Sequence, residues 1–81
     1  MPMKARVTVM LKSGVLDVQG EAVRHALGSL GFAGISGVRQ GKVIELDLTE
    51  TDADKARANV TAMCDKLLAN VVIESYQIEI L

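Results

Sequence analysis

A change of hydrophobic period that happens twice restricts this chain more than any other feature. Ala5, Val7, Val9 and Leu11 alternate with Arg6, Thr8, Met10 and Lys12, the period of two expected of a strand with one buried face. After a loop that carries Gly14 and Gly20, the residues Ala22, Val23, Ala26, Leu27 and Leu30 recur at helical spacing. The first helix is expected from about Gln19 to Leu30. Asp17 or a neighbour would cap its start, and Gly31 would supply a left-handed stop.

The second half repeats the sequence of periods. "FAGISGVRQGKVIELDL" reads as two strands joined by a tight turn at Gln40-Gly41, because glycine tolerates the positive φ that short hairpin turns demand. In the latter strand Ile44, Leu46 and Leu48 face one way, and Val43, Glu45 and Asp47 the other. Thr51 is the expected cap of a second helix, whose apolar stripe is Ala53, Ala56, Val60, Met63, Cys64, Leu67 and Leu68, with Asn70 at its end. "SYQIEIL" alternates again, Tyr76, Ile78 and Ile80 opposite Ser75, Gln77 and Glu79.

The order strand, helix, strand, strand, helix, strand predicts an α+β fold, the ferredoxin-like βαββαβ arrangement, as a single domain over residues 1–81. Its four-stranded antiparallel sheet would carry both helices on one face. The other face, with Arg6, Thr8, Met10, Val43, Glu45, Asp47, Ser75 and Gln77, is left open to solvent or to another subunit.

Bulk properties narrow the function. A chain of 81 residues builds a small core and gains from self-association. Nine Lys and Arg against ten Asp and Glu give a net charge of −1, with no block of like charge, which argues against nucleic acid and against a polybasic membrane patch. Phe32 and Tyr76 are the only rings, so no stacking platform for RNA is expected on the central strands. The single Cys64 excludes an internal disulfide and a paired-cysteine metal site. With no apolar signal or spanning segment in view, the expected location is the cytoplasm.

The chemistry-bearing residues have plain structural readings. Cys64 and His25 are the only soft nucleophile and base, yet Cys64 lies in the stripe of the second helix and His25 borders that of the first. One His and one Cys without clustered carboxylates cannot close a metal shell. Asp52 with Asp54 opens a helix, and Glu45 with Asp47 lies on the open face; helix-dipole and solvated charges account for both pairs. Gly41-Lys42 lacks the rest of a phosphate-loop pattern. Val18-Gln19-Gly20 followed by Arg24 resembles the phosphate cradle of acylphosphatases, which share this fold. The catalytic asparagine of that family is most nearly matched by Gln40, and Asp17 and Glu21 would set carboxylates beside a dianion. A small-ligand module like an ACT domain also carries a glycine-bearing loop after its first strand.

The segments "LKSGVLDVQGEAVRHAL", "LGF", "VRQGK" and "MCDKLLANVVIESYQIE", taken in order, resemble the PurS family, the small subunit of phosphoribosylformylglycinamidine (FGAM) synthase. The resemblance runs from Val7 to Glu79. Members of that family usually carry proline where this chain has Val18 and Val71.

The resemblance implies a non-catalytic subunit in purine biosynthesis with no cofactor of its own. Its partners would be further copies of itself, as dimer or tetramer, a glutaminase subunit, and a large synthetase subunit that uses ATP and Mg. The assembled enzyme converts formylglycinamide ribonucleotide, glutamine and ATP into FGAM, glutamate, ADP and phosphate, and the small subunit helps ammonia pass between the two active sites. Lys12, Asp17, Arg39 and Lys42, at loop ends or turns, are the interface candidates, with plain solvation as the alternative. Gly14, Gly20 and Gly41 are expected to serve backbone geometry.

Overall fold

The computed structural model describes residues 3–81. The elements follow the order β1 (Met3–Leu11), α1 (Val18–Ser29), β2 (Gly41–Leu48), α2 (Ala53–Met63) and β3 (Glu74–Ile80), with a π-helical turn at Cys64–Leu68. The sheet is antiparallel with β1 in the centre, in the order β2-β1-β3.

Strand alternation sets the two faces. Ala5 lies opposite Leu46 and Ile80, and Val7 opposite Ile44 and Ile78, so one face is apolar across all three strands. Helix α2 packs on β1 and β3 and places Ala56 and Val60 against that face. Together with Cys64 of the following turn these residues are fully buried, as are Ala5 and Val7, with Val9 nearly so. Ile44, Leu46 and Leu48, on the β2 side, are only partly buried. On the open face the register sets charges in pairs: Arg6 binds Glu45 at 3.1 Å, and Lys4 lies 3.9 Å from Asp47.

The sheet has three strands among the described residues, not the expected four. Residues 33–40 form no ladder. Gly34 takes φ +85° and Gly37 adds a second flexible point, so the segment contributes few side chains to a sheet face and its backbone bends. Gln40-Gly41 is accordingly not a hairpin turn. Gly41 opens β2 directly opposite Met10, and its φ is not positive. A Cβ at Gly41 would stand 2.4 Å from the carbonyl oxygen of Val9, so glycine serves close strand approach there rather than a turn.

The second expectation that fails is the pairing of both helices with one sheet face. α1 forms where its spacing places it, capped by Asp17 and followed by Gly31 at φ +96°. It has no extensive packing against any strand. Ala22, Val23, Ala26 and Leu30 remain exposed, Leu30 at 74%.

α2 departs in two details. Its cap is Asp52 rather than Thr51, the Asp52 carboxylate accepting from the backbone N–H of Asp54 at 2.9 Å and of Lys55 at 3.3 Å. Of the expected stripe Ala56, Val60 and Cys64 are buried, whereas Ala53 and Met63 are exposed; beyond it the backbone N–H of Ala69 donates to the Cys64 carbonyl at 3.0 Å, five residues back instead of four. That wider turn leaves Leu67 83% exposed while Ala69 is buried. Asn70 then ends the helical run, its carbonyl accepting from the N–H groups of Ile73 and Glu74.

Because Val60 joins α2 to the buried face of β1, Val60→Ala should lower stability by about 2 kcal/mol. The check is a urea midpoint that falls at unchanged slope.

Candidate functional site

The charged loop residues singled out in the sequence converge at one end of the molecule, where the β1–α1 loop meets residues 36–41. Asp17 is the centre. One carboxylate oxygen accepts from the Gly20 N–H at 2.7 Å and the other from the Gln40 N–H at 2.8 Å. Capping explains the first bond; the second ties the start of α1 to the start of β2, 23 residues further on. These two backbone donors, Gln40 foremost, and then nearby Arg39 hold the Asp17 carboxyl below its ordinary range.

The neighbours complete a backbone clamp. Arg39 donates from its guanidinium to the carbonyl of Leu11 at the end of β1, and the Gln40 side-chain amide donates to Gln19 at 3.3 Å. Gly20 is buried, and a Cβ there would stand 2.4 Å from the carbonyl oxygen of Val38. Gly14 differs: its φ of +89° sets the bend of the loop, with open space where a Cβ would be. Lys12 and Lys42 are exposed; Lys12 holds the end of β1 to the approach of β3 through its backbone N–H, which donates to Ile73 at 2.8 Å. The loop leaves a shallow cleft of about 660 Å³, lined in part by Leu16, Asp17, Glu21, Val38 and Arg39.

This arrangement does not form a phosphate cradle. The N–H groups of Gly20 and Glu21 already donate to Asp17, through its carboxylate and its carbonyl. Arg24 is bound to Glu21 one turn earlier, which lowers the Glu21 carboxyl and raises Arg24, and it lies outside the cleft. Gln40 is occupied with Gln19. Nor do Cys64 and His25 form a pair: Cys64 is buried under α2, where desolvation raises its thiol, and His25 is exposed on α1. Among the described residues no three His, Cys, Asp or Glu side chains cluster as metal ligands, and no helix is long and apolar enough to cross a membrane.

Two features escape a reading of the sequence. The Asp17–Gln40 bond joins a side chain to a backbone amide across an irregular segment, which no periodicity reports. Tyr76 donates its hydroxyl to Asp65 at 2.8 Å, which raises the Tyr76 pKa. The half-buried ring thereby fastens β3 to the π-helical turn.

A domain in which Asp17 and Arg39 fasten backbone to backbone, and which leaves the apolar stripe of α1 uncovered, is built for binding and positioning. Comparison with known proteins agrees. The family model PurS, phosphoribosylformylglycinamidine (FGAM) synthase, matches residues 4–81. PurS of Bacillus subtilis is 48% identical over 77 residues, covering 95% of this chain and 90% of that protein, and PurS of Synechocystis is 49% identical over 75 residues, covering 93% and 75%. Among solved structures, B. subtilis PurS superposes with a TM-score of 0.87 at 47% identity over 98% of each chain. A chain of PurLQS from Thermotoga maritima gives 0.89 at 30% identity, over 100% of this chain and 99% of that one. The chain belongs to the PurS family. Val18 stands at the first position of α1, where proline fits a helix equally well, and Val71 lies exposed in the turn before β3.

Asp17→Asn removes one of the two acceptors and so one of the two backbone ties. In the native chain the Asp17 carboxyl titrates below 3.8 when folded. Its contribution is therefore complete above the unfolded value and is lost as pH falls through the folded one. Urea midpoints at pH 7 and pH 3 should show the variant less stable at neutral pH, with the gap narrowing in acid. A gap that stays constant would contradict the role given to the charge. Gly20→Ala should destabilise at both pH values by about 1–3 kcal/mol, because a backbone carbonyl must move.

Proposed function

We propose that this chain is the small, non-catalytic subunit of FGAM synthase, bridging the glutaminase and synthetase subunits. The observation that carries this reading is its end-to-end match to PurS chains, including one from PurLQS. Formylglycinamide ribonucleotide, glutamine, ATP and water become FGAM, glutamate, ADP and phosphate. ATP and Mg belong to the synthetase subunit, and this chain binds neither. Its part is to hold the two active sites in register so that ammonia released at one reaches the other before it is lost to water. The cytoplasm is the compartment this role requires.

The clamp around Asp17 supports the role. Asp17 and Arg39 spend their polar atoms on the chain's own backbone, so they shape the loop that a partner meets. Lys12 and Lys42, exposed beside it, are the cations available for direct contact. Charge at a contact rim acts chiefly on association rate and specificity.

Reconstitution from separately purified subunits tests the bridge. Omitting this chain should lower glutamine-dependent FGAM formation at least tenfold while synthesis from added ammonium salts persists, because only the transfer between sites is lost. Full glutamine-dependent activity in its absence would overturn the reading. Lys12→Glu with Lys42→Glu should weaken association with the partner subunits about tenfold at low salt and leave the urea midpoint of the isolated chain unchanged.

A further inference from the structure

We propose that the open face of the sheet carries a site for a phosphate-class oxyanion, formed by Thr8, Ser75 and Gln77 on the strands and by the guanidinium of Arg39. The site is separate from the start of α1, whose N–H groups are occupied, and takes no part in the bridging role above. Strand register builds its floor. Thr8 stands opposite Gln77 and Met10 opposite Ser75, and on one face of an antiparallel pair such side chains are in reach of one another, directly and on the diagonal.

Gly41 keeps this square open. It begins β2 opposite Met10, and a Cβ there would collide with the Met10 sulfur. The thioether therefore lies over the glycine, on the β2 side, instead of over β3. What remains, with Met10 as one wall, is a hollow of about 210 Å³ bordered by Thr8, Arg39, Ser75 and Gln77. Sites for drug-sized ligands run to roughly 300–1,000 Å³. This one has room for a group of a few heavy atoms.

Chemistry selects the occupant. Two hydroxyls, an amide and a guanidinium border the hollow, each able to donate, and no carboxylate does. The acids closest to it are engaged elsewhere. Glu45 is bound to Arg6, Glu79 faces the same arginine across the strand register, and Asp17 gives both carboxylate oxygens to backbone N–H groups. The clamp uses Arg39 through one N–H, on the Leu11 carbonyl, and a guanidinium carries several more, in the fork geometry that grips phosphate. Hydroxyls rising from two strands and a guanidinium entering from the side approach from different directions. A tetrahedral anion meets all of them, whereas a planar carboxylate or a halide does not.

The test titrates the isotope-labelled full chain with sodium phosphate at constant pH and ionic strength, following the backbone amide and arginine Nε resonances. Saturable shifts should gather at Thr8, Arg39, Ser75 and Gln77, and acetate or chloride should not produce them. Thr8→Val with Ser75→Ala removes two donors without touching the bond from Arg39 to Leu11. It should weaken phosphate binding by at least about tenfold and leave the urea midpoint unchanged. Gln77→Ala, at an exposed position, gives the same readout should the double variant fail to fold. Methyl phosphate distinguishes the sources of the ligand: competition for the same site assigns a phosphate ester, and saturation by inorganic phosphate alone assigns the free ion. Shifts that rise without saturating, equal shifts with acetate, or undiminished affinity in the folded variants would each overturn the site.

Discussion

Everything else hangs from β1, which among the described residues is the only strand with a neighbour on both sides. Ala5, Val7 and Val9 are at most 1% exposed, and each meets an apolar or ring-bearing residue on at least one flanking strand: Leu46 and Ile80, Ile44 and Ile78, and Tyr76. A core this narrow, with no large aromatic at its centre, gains its stability from area removed from water along a single row of side chains. The helix that covers it need reach only two strands. That leaves β2 with one half-covered face, and it leaves α1 free to serve something other than the core.

Much of this was legible in the sequence. Period-two alternation located β1, β2 and β3, and helical spacing located α1 and α2, because burial on one side imposes those periods directly on the residues. The cap at Asp17 and the stop at Gly31 were legible for the same local reason. What misled was the segment from Phe32 to Gln40. Its place before a glycine next to β2 suggests a strand and a hairpin turn, yet Gly34 at φ +85° turns the chain, and Gln40 gives its N–H to Asp17 instead of to a ladder. A hydrogen bond between a side chain and a distant amide leaves no trace in hydrophobic periodicity.

The same limit applies to the site. Lys12, Asp17, Arg39 and Lys42 were found as charged residues at loop ends, and the structure gathers them at one end of the molecule. It also divides them, which the sequence could not do. The Asp17 and Arg39 side chains bond to backbone groups, whereas the Lys12 and Lys42 side chains reach solvent. Gly14, Gly20 and Gly41 were grouped together as geometric residues; one supplies a positive φ, and the other two permit a carbonyl to pass close by. Identity came from the joint order of short segments, which the match over residues 4–81 bears out.

The π-helical turn at Cys64–Leu68 carries a consequence of a different kind. An α-helix that gains one residue normally rotates everything beyond it by about 100°, which would swing a buried position out to solvent. Here the Cys64 carbonyl reaches Ala69 across an extra residue, and both remain buried while Leu67 is the side chain turned outward. The surplus is absorbed within a single turn. The extra residue of this turn is thus accommodated after α2 has ended, without changing which atoms of α2 meet β1 and β3.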